Sequence, residues 1–187
     1  MDERSLAAFW RDGYVVLRQL LPPAAYEPVV HLIQRTTHAK FQRLLLPIRP
    51  AADPHSALPY EQRWATLAQE LLADEQVDAA AARQIVKAGT WGRHDMLDPC
   101  VHELLASPEL LGVAKAILGP ELTANGDWWF RPAVSEKIGV HWGYPYHQDS
   151  YFYGGSVRPE DCQVVSLWLP LVDVDERSGC LQCATCI

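Results

Sequence analysis

No run of basic residues occurs anywhere in this sequence. Sixteen Lys and Arg stand against 23 Asp and Glu, a formal net charge of −7. Binding a polyanion needs clustered cations, so nucleic acid is not expected as a partner. Long apolar stretches are also missing: the uninterrupted runs span only a handful of residues, far below the roughly 20 that a membrane helix needs. The opening Met1-Asp2-Glu3-Arg4-Ser5 has no apolar core of the kind a secretory signal carries. The cysteines number five, an odd set, with Cys180, Cys183 and Cys186 crowded at the end. That is not the even framework of a secreted disulfide scaffold, and a reducing cytoplasm is the expectation. What is present is ordinary: 187 residues, 49% hydrophobic and 21% charged, enough for one soluble domain with a substantial core.

The order of patterns along the chain is helices first and strands later. Leu6, Phe9 and Trp10 recur at helical spacing, and Gly13 stands where a helix end favours a left-handed residue. Tyr14-Val15-Val16-Leu17 reads as a strand by its β-branched and aromatic content. Pro22-Pro23 suits the first turn of a second helix, with Tyr26, Val29, Val30, Ile33 and Phe41 on one face. Pro47, Pro50, Pro54 and Pro59 then mark a loop. From Tyr60 to about Lys87 the pattern is helical again. Ser107-Pro108-Glu109 predicts a helix start with a hydroxyl cap, and Gly119-Pro120 predicts its end. After residue 120, Trp128-Trp129-Phe130, Lys137–His141, Tyr146–Phe152 and Gln163–Val172 read as strands between turns. The expected class is α+β, helical to about residue 120 and β from about 121 to 182.

The chemistry concentrates in Tyr146-His147-Gln148-Asp149-Ser150. Side chains at i and i+2 of a strand share a face, so His147 and Asp149 can reach one metal ion while Gln148 points away. Two imidazoles and a carboxylate form the facial triad of non-haem Fe(II) oxygenases, which leaves three adjacent positions open. A His-x-Asp pattern alone arises often by chance. Here it sits in His147-Gln148-Asp149-Ser150-Tyr151-Phe152-Tyr153, followed by Val165-Ser166-Leu167-Trp168-Leu169-Pro170-Leu171-Val172-Asp173. Arg177-Ser178-Gly179-Cys180-Leu181-Gln182 comes next.

These motifs closely resemble the phytanoyl-CoA dioxygenase family. Asp12–Leu17 is similar to the family's opening, Leu110 to Gly119 to its helix before the barrel, and the likeness runs from about residue 5 to 182. The resemblance implies a single domain over 1–182 whose β part is a double-stranded β-helix, a jelly roll with iron at its mouth. It implies Fe(II), 2-oxoglutarate and O2 as cofactors, hydroxylation of a substrate C–H bond, and release of succinate and CO2. His147 and Asp149 would be metal ligands. Trp168 matches a tryptophan that lines the cosubstrate pocket, though packing in a buried strand would equally suit it.

The chain also departs from the family pattern. No histidine follows His147, and Arg158 and Arg177, both in turn-like sequence, do not match the family's cosubstrate arginine. His141 is a possible substitute ligand and Arg93 aligns only loosely with a second cation. Residues 183–187 read as a non-family tail on a C-terminally truncated domain. Cys180-x-x-Cys183-x-x-Cys186 has thiolate spacing found in metal sites, but Cys180 matches a position where the family itself has cysteine. The expected function is an oxygenase acting on a small organic substrate. The alternative is a catalytically silent relative that serves as a binding module or represents an incomplete gene product.

Overall fold

A computed structural model describes residues 1–45, 55, 57–88, 97–124, 126, 128, 130, 146–149, 164–176 and 180–184. Helix α1 (Glu3–Asp12) starts where the Asp2 carboxylate accepts the Ser5 N–H at 2.7 Å. The Glu3 carboxylate favours the same end, which carries the positive pole of the helix dipole. The helix stops at Gly13, whose φ of 79° suits a residue without Cβ and whose N–H donates to the Phe9 carbonyl. Tyr14–Leu17 is then a correction to the sequence reading: it forms no strand with any of the described residues, and Val16 is 65% exposed. Its composition fits a pleated surface, but an extended segment becomes a strand only beside a partner.

Helix α2 (Pro23–Leu45) buries Val29 and Ile33 of the expected face, with Tyr26 packed against them and Val30 half-buried, and it also buries Leu32. The Phe41 side chain lies outside the described residues. One turn beyond Ile33, the buried Thr37 hydroxyl donates to the Ile33 carbonyl at 2.6 Å, which satisfies a polar group inside that face.

The helical run expected from Tyr60 to Lys87 is in fact two helices, α3 (Tyr60–Ala73) and α4 (Ala79–Ala88). Asp74 and Asp78 divide it. Asp74 Oδ1 accepts the Gln76 N–H at 3.0 Å, and Asp78 Oδ1 accepts the Ala81 N–H at 2.8 Å as an N-cap. Helix α5 (Pro99–Leu105), which the sequence reading did not single out, starts with proline and is capped by Asp98, which accepts the Cys100 N–H at 3.1 Å. Helix α6 (Pro108–Leu118) has the expected bounds and ends at Gly119. Its start differs in chemistry. Ser107 does not cap it through the side chain, and the buried Ser107 Oγ has no hydrogen-bond partner among the described residues.

Two apolar clusters result among the described residues. Val29, Leu32 and Ile33 of α2 meet Val101 and Leu104 of α5 and Leu110 of α6. Trp64, Leu67 and Leu71 of α3 meet Ala82 of α4. Helix α2 packs on α3 as well as α5. Between α2 and α3, the buried Arg63 places Nη2 2.9 Å from His38 Nδ1; a guanidinium only donates, so the imidazole nitrogen accepts.

The second half reaches this helical body through side chains. Trp128, Phe130, Leu169 and Leu171 all pack on the α2–α5–α6 cluster. No strand of two or more residues occurs among the described residues, and Phe130 forms an isolated bridge. The expected strand at 137–141 and residues 150–152 of the one expected at 146–152 lie outside the described residues. No described helix is long and apolar enough to cross a membrane.

Candidate metal centre

Three short segments of the second half meet, and the helical cluster anchors one of them. In residues 164–172, exposure alternates along most of the run. Val165, Leu169 and Leu171 are half-buried, whereas Val164, Ser166, Trp168 and Val172 are exposed, and only Leu167 breaks the order. An extended chain turns successive side chains to opposite sides. The apolar contacts of Leu169 and Leu171 with the helices therefore leave Ser166 and Trp168 on the opposite side.

On that side lies Asp149. The Ser166 hydroxyl donates to Asp149 Oδ2 at 2.7 Å. The other carboxylate oxygen, Oδ1, is 3.4 Å from His147 Nε2. Both side chains are solvent-accessible, 35% for His147 and 50% for Asp149. Next to His147 in the chain, the Tyr146 hydroxyl donates to Gln182 Oε1 at 2.9 Å and ties the pair's segment to residues 180–184. The Asp175 carbonyl accepts the Cys180 N–H at 3.2 Å.

The two sequence-selected ligands thus come together, although Tyr146–Asp149 forms no strand among the described residues. The donor set is chemically suited to a divalent ion of the iron type, an imidazole nitrogen beside a carboxylate oxygen. Donors about 2.1 Å from one ion at neighbouring octahedral corners stand about 3.0 Å apart. The observed 3.4 Å needs only a small side-chain adjustment. Among the described residues no third His, Cys, Asp or Glu joins them.

The other sequence-selected residues fall as follows. Trp168 is 48% exposed and belongs to neither buried cluster. Gln148 is exposed. His141, Arg93, Arg158, Arg177 and Cys186 lie outside the described residues. Cys180 and Cys183 are free thiols, the first half-buried and the second exposed. Cys100, in the helical body, is of another kind: burial, then its hydrogen bond with Asp98, push its thiol up to about 11, where it stays protonated and inert at neutral pH.

Sequence reading did not find Ser166 and Tyr146 as parts of this site. For Ser166 a signal exists. It is the one hydroxyl in the apolar run Val164-Val165-Ser166-Leu167-Trp168-Leu169 and shares the parity of Trp168. For Tyr146 and Gln182, 36 residues apart, nothing in the sequence indicates the bond.

A family model for phytanoyl-CoA dioxygenase matches residues 9–184, two residues past the boundary set at 182 by the motifs. Neither the curated proteins nor the solved structures contain a match.

Proposed function

Because the chain belongs to the phytanoyl-CoA dioxygenase family, we propose that it is an Fe(II)- and 2-oxoglutarate-dependent dioxygenase whose iron is held by His147 and Asp149. The observation that carries this reading is the 3.4 Å approach of His147 Nε2 to Asp149 Oδ1, within a family whose members use an imidazole and a carboxylate in this way. The β part, from about 121 to 182, is a double-stranded β-helix in this reading, with the pair at its mouth. Bound iron would supply the activation of O2 that couples loss of CO2 from 2-oxoglutarate to hydroxylation of a substrate C–H bond.

The chain's own residues do the rest. His147 and Asp149 present one nitrogen and one oxygen on the same side, leaving neighbouring positions for 2-oxoglutarate and O2. Trp168 forms part of the cosubstrate wall. Its half-exposed ring, two residues from Ser166 on the side that faces Asp149, supports that role over core packing. The substrate is a small organic molecule, received among exposed aromatics such as Tyr146 and Trp168.

The test is succinate release from 2-oxoglutarate, with Fe(II), ascorbate and O2. Iron-dependent succinate that falls at least about 100-fold in Asp149→Ala is expected, because a ligand matters more than the groups behind it. Folded protein that binds 2-oxoglutarate yet releases no succinate would overturn the enzymatic reading in favour of a silent binding member of the family.

A further inference from the structure

Ser166 has a relation to the candidate metal pair that neither the motif spacing nor family membership assigns. We propose that Ser166 is a positioning residue, one that fixes which oxygen of Asp149 is offered to the metal and keeps that carboxylate a one-oxygen ligand. The proposal rests on the reading of His147 and Asp149 as metal ligands. A carboxylate has two equivalent oxygens and rotates freely at an exposed position, so it can bind an ion through one oxygen or through both. Here the two oxygens are made unequal. Oδ2 accepts the Ser166 hydroxyl at 2.7 Å, the length of a charge-assisted O–H···O bond, and Oδ1 is left as the oxygen nearest His147.

The difference matters chemically. Two-oxygen binding by Asp149 would occupy a second coordination position, and the proposed reaction needs the open positions for 2-oxoglutarate and O2. A hydroxyl engaged with Oδ2 opposes that. Burial does not account for the contact, since both Ser166 and Asp149 are exposed. What holds the hydroxyl in place is the backbone of residues 164–172, secured by Leu169 and Leu171 in the helical cluster. Ser166 thereby connects the helical body to the orientation of a metal ligand. Trp168 follows two residues later in the same segment, exposed as Ser166 is.

The experiment compares Mn(II) binding by the full chain and its variants, read from the loss of the free-ion electron paramagnetic resonance signal. Wild type, Ser166→Ala, Ser166→Thr and Asp149→Ala are titrated, with a thermal melt of each. Ser166→Ala is expected to weaken Mn(II) about 10-fold, the lower range for groups behind a ligand. Its melting temperature should stay at the wild-type value, because the side chain is exposed. Ser166→Thr keeps the hydroxyl and should restore the affinity, which a merely structural contribution would not do. Equal affinity in wild type and Ser166→Ala, with binding lost in Asp149→Ala, would overturn the role of Ser166 and leave the metal pair standing. Binding unaltered by Asp149→Ala, or absent from wild type, would overturn both.

Discussion

Ile33 and Ser107 show how two buried side chains of one helical body can respond in opposite ways to truncation. Ile33 is fully buried between α2, α5 and α6. Ile33→Ala removes its transfer energy and leaves a cavity, and about 3 kcal/mol should be lost. Ser107 is nearly as buried, but its Oγ has no hydrogen-bond partner among the described residues. Its desolvation already opposes folding, so Ser107→Ala should change stability by less than about 1 kcal/mol, or raise it. Urea midpoints of the two variants check both expectations. A large loss for Ser107→Ala would mean that its hydroxyl has a partner after all. At this scale the sequence was informative where chemistry imposes a pattern. His147 and Asp149 were legible because two ligand types stand two residues apart, and they do converge, to 3.4 Å. The Ser107 cap was legible by residue type and still wrong, because a hydroxyl can cap only if its rotamer turns it toward the helix. Ser166 was missed because a serine among β-formers carries no sign of what lies across from it.

Among the elements, the helices were read well wherever a stop or start was written locally. Gly13 and Gly119 end α1 and α6, and Pro23 and Pro108 open α2 and α6, as their backbone preferences dictate. The break between α3 and α4 was missed because the apolar spacing continues across it. The deciding residues are Asp74 and Asp78, whose carboxylates bond to the backbone in competition with the helix. Asp78→Ala should therefore cost about 1 kcal/mol and fray the start of α4, where the Ala81 N–H loses its acceptor. Faster amide exchange at Ala81 than in wild type would register the loss; unchanged exchange would show that α4 does not depend on this cap. Strands are harder to read for a physical reason. A helix satisfies its own backbone, whereas Tyr14–Leu17 and residues 164–170 have β-forming composition but need a neighbour to become strands. Neither segment pairs as a strand among the described residues.

Across the whole molecule, the helical body acts as the platform for the site. Leu169 and Leu171 join the α2–α5–α6 cluster, and the same stretch of chain carries Ser166 to Asp149, with Trp168 two residues further on. The Tyr146–Gln182 hydrogen bond ties residues 146–149 to residues 180–184. The family was legible from motif order alone, whereas this attachment of residues 164–172 to the helices was not, since it depends on contacts between residues far apart in the chain. In the proposed function His147 and Asp149 hold the metal. The most direct test is the position of the anomalous-scattering peak in crystals of the full chain grown with Mn(II) and 2-oxoglutarate. One peak is expected between the two side chains, roughly 2.0–2.3 Å from His147 Nε2 and Asp149 Oδ1, the range of hard-cation ligands. A peak at Cys180 and Cys183 instead, with the His147–Asp149 pair empty, would contradict it.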